Sequence, residues 1–162
     1  MGVSGAGKST LGHALGAALG WKFVEGDALH PSANVAKMAA GVPLDDTDRG
    51  PFLENVAAAL LAHGDEGVVA SCSALRRRYR DLLRGRAGPI VFVLPMLERT
   101  GLAERLAGRA RHFMPVGLLD SQLATLDPPA PDEDVITVDG MLPTDVQVAA
   151  VLDAMELRAR GG

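Results

Sequence analysis

Apolar residues along this chain fall into two rhythms. Leu11, Leu15, Ala18 and Leu19 recur at helical spacing, so residues 7–19 predict an amphipathic helix. Pro31 at a first helical position predicts a short helix over 31–38. Phe52, Leu53, Val56, Ala57, Leu60 and Leu61 form the stripe of a longer helix over 48–63. Leu75, Tyr79, Leu82 and Leu83 mark the inner face of another, and Val148, Val151, Leu152 and Met155 that of a C-terminal helix. Between them lie short runs at 22–25, 68–71, 90–94 and 135–138 that read as strands. The runs at 68–71 and 90–94 are apolar without alternation, which predicts burial on both faces. Strands alternating with helices predict an α/β fold, a parallel sheet covered by helices on both faces. With no repeat, linker or low-complexity tract, residues 1–162 are expected to form one domain.

Composition narrows the class. Hydrophobic residues make up 48% and charged residues 22%, the balance of a globular protein. A net charge of −4 argues against nucleic acid as a partner, and no stretch approaches the roughly 20 apolar residues a membrane helix needs. The N-terminus lacks a signal-peptide pattern, and the single cysteine, Cys72, cannot form an internal disulfide; the expected compartment is the cytoplasm. Thirteen of the sixteen cations are arginine. Arginine suits carboxylate and phosphate, but taken together the excess reads first as genomic composition.

One motif carries chemistry. Gly2-Val3-Ser4-Gly5-Ala6-Gly7-Lys8-Ser9 fits G-x-x-x-x-G-K-[ST] at every position, and this composition would give roughly 0.003 such matches by chance. Glycines let successive N–H groups line an anion nest, and the helix that follows aims its positive end at the same phosphates. Residues 2–9 and the adjoining Thr10 are therefore the expected ATP-binding segment. Lys8 would reach the β- and γ-phosphates, and the Ser9 hydroxyl would ligate Mg²⁺. Such a loop normally follows a buried strand, and here Met1 alone precedes Gly2. The first strand is expected to be missing from this sequence, with the natural protein starting upstream.

Several nucleotide-binding classes are excluded. The strand at 68–71 runs into Ser71-Cys72-Ser73 without the acidic residue that motors and GTPases use for Mg²⁺, and no base-reading Asn-Lys-x-Asp is present. A small-molecule kinase needs neither. Glu25 and Asp27 follow the second strand at the end where such folds bind ligands. Asp27 is the candidate to orient or deprotonate an attacking hydroxyl, and Glu25 to act near the metal; a helix cap or solvated turn is the plain alternative.

The chain resembles the gluconate kinases, which are related to shikimate kinase and the nucleoside monophosphate kinases. Besides the phosphate loop, the resemblance rests on Glu25-Gly26-Asp27 with His30-Pro31, Asn34, Lys37-Met38, Pro43-Leu44-Asp45-Asp46 with Asp48-Arg49, and Cys72-Ser73-Ala74-Leu75 with Tyr79-Arg80-Asp81. It continues through Arg105-Leu106, Arg109, His112-Phe113-Met114, Leu118-Leu119, Ser121-Gln122 and Thr125-Leu126. Phe52 and Asp127 stand where the family usually has Trp and Glu, and both keep the chemical character.

The resemblance implies a P-loop kinase fold with a small lid at about 105–115, ATP and Mg²⁺ as cofactors and gluconate as the small-molecule partner, and it suggests a homodimer. The implied activity is phosphorylation of D-gluconate at its 6-hydroxyl. A kinase for another small hydroxy acid such as shikimate, or a nucleotide-binding module without turnover, are the competing readings. Arg49 and Arg80 are the implied carboxylate ligands, although most of the six arginines between 76 and 86 read as a solvated face. His30, His112 and Gln122 are further substrate candidates, with Asp27. Arg109 would meet the transferring phosphate and Arg105 would stack on adenine. Asp45, Asp46 and Asp48 read first as acids at a helix N-terminus, and Asn34 and Lys37 as surface residues.

Overall fold

The structure is a computed structural model that describes residues 1–108 and 116–161. Helix α1 (Lys8–Leu19) leads to β1 (Lys22–Val24), a 3-10 turn over Gly26–Leu29, and α2 (Ser32–Ala39). Then follow α3 (Asp46–His63), β2 (Val68–Ala70), α4 (Arg77–Ala87), β3 (Phe92–Met96), α5 (Arg99–Ala107), α6 (Val116–Thr125), β4 (Val135–Asp139) and α7 (Thr144–Gly161). Every element expected from the apolar rhythm is present, and local chemistry adjusts its ends. Pro31 caps α2 from outside instead of starting it. Asp45 and Asp48 close a capping box that starts α3, with N–H to carboxylate distances of 2.9 and 3.1 Å. Asp48 also holds Lys37 at 2.6 Å. Leu75 is fully buried as expected, but in the turn before α4.

Packing assembles three clusters. Phe52, Leu53, Val56 and Ala57 of α3 meet Tyr79 and Leu83 of α4 over Phe92 and Leu94 of β3. On the opposite face, Leu11, Leu15 and Val151 from α1 and α7 cover Ile136 and Val138 of β4. The third cluster lies under the phosphate loop, where Val3, Ala6 and Leu75 pack on Leu102, Leu106 and Leu119. Each fully buried aliphatic side chain contributes roughly 1.5–3 kcal/mol. No helix among the described residues is long and apolar enough to cross a membrane.

The strands pair in parallel as expected, and they do so as two pairs. β1 pairs in parallel with β2, Lys22 opposite Val68 through Val24 opposite Ala70. β3 pairs in parallel with β4, Phe92 opposite Val135 through Met96 opposite Asp139. Among the described residues no ladder joins β2 to β3, so the expected single sheet is two parallel pairs. For the same reason β2 is half-buried where its composition predicts full burial. Ser71-Cys72-Ser73, Glu25-Gly26-Asp27 and Gly140 all emerge at the C-terminal ends of strands, the edge where α/β folds build their sites.

One buried ion pair sets the rim of that edge. Arg80 is 0% exposed, and its Nε and Nη2 donate to the Glu133 carboxylate at 2.6 and 2.8 Å. Its Nη1 donates to the carbonyls of Ala74 and Leu75 at 3.2 and 3.1 Å, and Nη2 also reaches Asp127 O at 3.3 Å. Ala74 has φ 37, a left-handed conformation that a non-glycine residue adopts only at a cost. Arg80 thus clamps an otherwise unfavourable turn. The guanidinium holds the Glu133 carboxyl down to about 2, outweighing burial, with the Ala130 N–H assisting. The pair's contribution is therefore complete above the carboxyl's ordinary 4.5 and is lost as pH falls from there through about 2. Glu133→Gln is expected to cost about 3–5 kcal/mol at pH 7 and to flatten that acid dependence. Urea unfolding midpoints at pH 7 and pH 3 measure both effects.

Candidate active site

The phosphate loop is set between the third cluster and the strand ends. Gly2 N–H donates to Ser73 O at 3.0 Å. Gly5 and Gly7 adopt φ 83 and 87, and a Cβ at Gly5 would lie 3.1 Å from Leu106 Cγ and 3.2 Å from Leu102 O. A side chain there meets both conformational strain and a wall. Gly7 is the N-cap of α1 and makes no side-chain cap bond, so the first-turn N–H groups of α1 face the loop. Lys8 Nζ donates to Val3 O at 2.9 Å, and Ser4 N–H donates to Gln122 Oε1 at 2.7 Å. Arg105 reaches across Gly7 and donates to Gly140 O at 2.6 Å. Thr10 is exposed on the first turn of α1.

Beside the loop, β1 delivers its carboxylates through a close backbone crossing. A Cβ at Gly26 would stand 1.8 Å from Ser71 O, so only glycine lets the two chains meet here. Ser71 Oγ accepts from Gly26 N–H at 2.9 Å and donates to Glu25 Oε1. Burial pushes the Glu25 carboxyl up, but hydrogen bonds from Ser71, Ser9 and the Asp27 backbone, with the Lys8 charge, bring it below its ordinary value. Ser9 and Glu25 thus put two hard oxygens next to Lys8, a donor set that suits Mg²⁺. Among the described residues no three His, Cys, Asp or Glu cluster together. An ion at this place would draw its remaining ligands from phosphates and water.

A single cleft joins Ser4 and Lys8 to Asp27, His30, Arg49, Ser73, Leu118, Ser121 and Gln122, with Met38 and residues 42–44 as its outer wall. Five of the residues expected to bind substrate or act in catalysis are therefore brought together: Lys8, Asp27, His30, Arg49 and Gln122. His30 stacks on Phe52 with centroids 3.8 Å apart and planes 6° from parallel. Burial lowers its pKa, Arg49 lowers it further, and Asp27 opposes them. The stack favours a neutral ring whose polar edge meets the cleft.

The two carboxylate candidates have different fates. Arg49 is 7% exposed, and its Nε and Nη1 donate at 3.3 Å to neutral acceptors, Leu44 O and Ser73 Oγ. Its guanidinium carbon lies 6.0 Å from the Tyr79 ring centroid, and among the described residues no carboxylate forms an ion pair with it. A buried cation with neutral partners is primed for an anionic ligand. Arg80 does not line the cleft; its charge is compensated by Glu133. Arg109 and His112 fall outside the described residues, as does most of the expected lid at 105–115.

Ser73 is a cleft residue to which the sequence assigned no role. It sits one residue before the left-handed Ala74, accepts from Gly2 N–H through its carbonyl, and holds Arg49 through its hydroxyl. Chemically, the cleft brings together an anion nest with a lysine, a carboxylate, and a guanidinium without an ion-pair partner among the described residues. That suits transfer of a phosphoryl group to a small acidic acceptor.

Comparison with known proteins agrees. An AAA domain family model matches residues 1–129. The gluconokinase of Gluconobacter oxydans is 51% identical over 154 residues, 90% of this chain and 83% of that protein. The thermosensitive gluconokinase of Escherichia coli is 42% identical over 86% of this chain and 76% of that protein. A crystal structure of a gluconokinase from Sinorhizobium meliloti superposes with a TM-score of 0.88 at 43% identity, covering 100% of this chain and 95% of that one. Shikimate kinase from Aquifex aeolicus, at TM-score 0.56 and 17% identity over 100% of this chain and 97% of that one, shares the fold.

The crossing at Gly26 makes a sharp prediction. Gly26→Ala must push β1 off Ser71 and is expected to cost about 1–3 kcal/mol or more, since the obstructing atom is backbone. Gly85→Ala, in α4 where an added Cβ meets nothing within 4 Å, should be neutral or stabilising by up to about 1 kcal/mol. Denaturant unfolding of the two variants measures the contrast.

Proposed function

We propose that this chain, which belongs to the gluconokinase family of P-loop kinases, transfers the γ-phosphoryl group of ATP to the 6-hydroxyl of D-gluconate. The observation that carries the reading is the single cleft lined together by Lys8 of the phosphate loop, the Asp27 carboxylate and the buried Arg49, whose hydrogen-bond partners are neutral. Gluconate has matching groups, a carboxylate at one end and the reactive hydroxyl at the other.

In this mechanism residues 2–10 hold the phosphates, and Arg105 provides a flat cationic face for the adenine. Arg49 and Ser73 receive the acceptor's carboxylate, while His30 and Gln122 bond to the hydroxyls between. Asp27 orients the 6-hydroxyl and takes its proton as the bond from oxygen to the γ-phosphorus forms and the bond to the ADP oxygen breaks. Lys8 spreads the charge that develops on the transferring group. Mg²⁺, held by Ser9 and by Glu25 directly or through water, would supply further charge neutralisation there. Arg109 and His112 are assigned to a lid that excludes water and meets the phosphoryl group and the acceptor. Arg80 acts indirectly, by holding the turn that carries Ser73. A buried free thiol at Cys72 suits a reducing cytoplasm.

The test is ADP release with ATP and Mg²⁺ in the presence of D-gluconate, of shikimate, or of no acceptor. Release should require gluconate. Asp27→Asn should lower kcat by about 10²–10⁴-fold while retaining ATP binding. Arg49→Lys should raise KM for gluconate by roughly 10–100-fold, as expected for loss of a charge-assisted bidentate contact, with a smaller change in kcat. Release driven equally by shikimate, or ATP binding without acceptor-dependent turnover, would overturn the reading.

A further inference from the structure

We propose that Asn34 is a positioning residue that fixes His30 as its Nε2–H tautomer, so that the histidine meets the acceptor as a hydrogen-bond donor and not as a base.

The backbone sets the two side chains one helical turn apart. His30 precedes Pro31, which restricts it to the extended region, and it adopts φ −66 and ψ 134. α2 starts directly after Pro31, and Asn34 in its first turn donates its N–H to Pro31 O at 2.9 Å. The sequence reads Asn34 as a surface residue, yet it is only 3% exposed. A buried amide needs partners for its polar atoms. Its Nδ2 lies 2.8 Å from Asp48 O and 3.4 Å from His30 Nδ1.

These two contacts decide where the ring carries its proton. A backbone carbonyl only accepts, so the atom that faces Asp48 O is the nitrogen of the Asn34 amide and not its oxygen. That nitrogen carries two hydrogens and accepts none. One hydrogen goes to Asp48 O, and the other is offered to His30. Nδ1 can receive it only when bare, because a proton there would set two donors against each other. The Nδ1–H tautomer and the imidazolium are both disfavoured beside Asn34, and the imidazole proton resides on Nε2.

The surroundings hold this arrangement in place. The Asp48 carboxylate binds Lys37 Nζ at 2.6 and 2.8 Å, and its N–H donates to Asp45 Oδ1 at 2.9 Å, so the carbonyl that orients Asn34 is itself anchored. The stack on Phe52 fixes the plane of the ring but not which edge faces which way. Asn34 makes that choice, since a flipped ring would turn a carbon towards its donor. Burial brings the His30 pKa below its ordinary 6.5, with Asp27 opposing and Arg49 assisting. At pH 7 the ring therefore has a single proton to place.

With Nδ1 engaged, Nε2 is the ring's remaining polar atom, and His30 lines the cleft with Asp27, Arg49 and Ser73. An Nε2–H donates to a lone pair on a hydroxyl or carboxylate oxygen and cannot take a proton from one. The base for the attacking hydroxyl is then the Asp27 carboxylate. This consequence rests on the cleft being the acceptor site proposed above, whereas the tautomer rests on the geometry around Asn34 alone.

The test is a long-range proton–nitrogen spectrum of protein labelled in its histidine rings, taken without ligand near pH 7, with His30 assigned from the His30→Gln variant. Native His30 should show a protonated Nε2 and a bare Nδ1. A protonated Nδ1, or two nitrogens averaged between the tautomers, overturns the proposal. Asn34→Ala should release the ring to both tautomers. Asn34→Asp, which keeps the volume and offers Nδ1 an acceptor, should draw a proton onto Nδ1 and carries the test if the alanine variant does not fold. An unchanged ring spectrum in a folded variant overturns the role of Asn34. In kinetics, Asn34→Ala should raise KM for gluconate by roughly 3–10-fold, the loss of one well-placed hydrogen bond. His30→Gln, whose amide donates but is no base, should lower kcat by less than about 10-fold; a loss of about 10²–10⁴-fold, the size of a missing general base, overturns the donor assignment. Native protein without gluconate-dependent turnover would sink the function proposed above, while the spectra would still decide the tautomer.

Discussion

The cleft depends on a seam between two half-sheets. Gly2 reaches Ser73 on one side while Met1 reaches Val93 on the other, and the phosphate loop springs directly from that point. Ser73 is in turn fixed by the turn after it, where Ala74 is held in a left-handed conformation by Arg80, and Arg80 by Glu133. A carboxylate in the turn before β4 therefore governs, through three contacts, where the phosphate loop sits. Few of these groups touch the cleft, yet each constrains it.

Arg49 and Arg80 show how one residue type divides between structure and chemistry. Both are buried, and both reach the same turn, Arg49 through the Ser73 hydroxyl and Arg80 through the carbonyls of Ala74 and Leu75. Arg80 has its countercharge built in, so its guanidinium is a fixed strut. Arg49 has neutral acceptors and an aromatic ring nearby, so its electrostatic demand is left for a ligand. Tyr79 and Arg78 both bond to Asp46 at the start of α3, which keeps the elements bearing the two arginines in register.

What could be read from the sequence follows the range over which each feature is decided. The phosphate loop was legible because its chemistry is complete within eight consecutive residues. The helices and strands were legible because their apolar rhythm is local, and Asp45 and Asp48 because capping is a matter of three residues. The distinction between Arg49 and Arg80 was not legible, since it turns on Glu133, 53 residues from Arg80. The close crossing at Gly26 depends on Ser71, 45 residues away, and the role of Ser73 on a turn whose dihedral angles no local pattern announces. The division of the sheet into two pairs was not legible either, since it depends on which strands become neighbours, and no local pattern announces that.

The phosphate loop keeps its donors engaged on neutral oxygens, Lys8 on Val3 O and the Ser4 amide on the Gln122 side chain. Ligand entry is consequently an exchange reaction, in which one acceptor replaces another and the count of hydrogen bonds need not change. Its driving force at these two donors is the difference in strength between a phosphate oxygen and an amide oxygen. Charge-assisted bonds are roughly twice as strong as neutral ones, so an anion profits from the exchange. Water or an uncharged sugar gains nothing by displacing what is already there, and the loop acquires a bias toward charge without any group placed to repel neutral molecules.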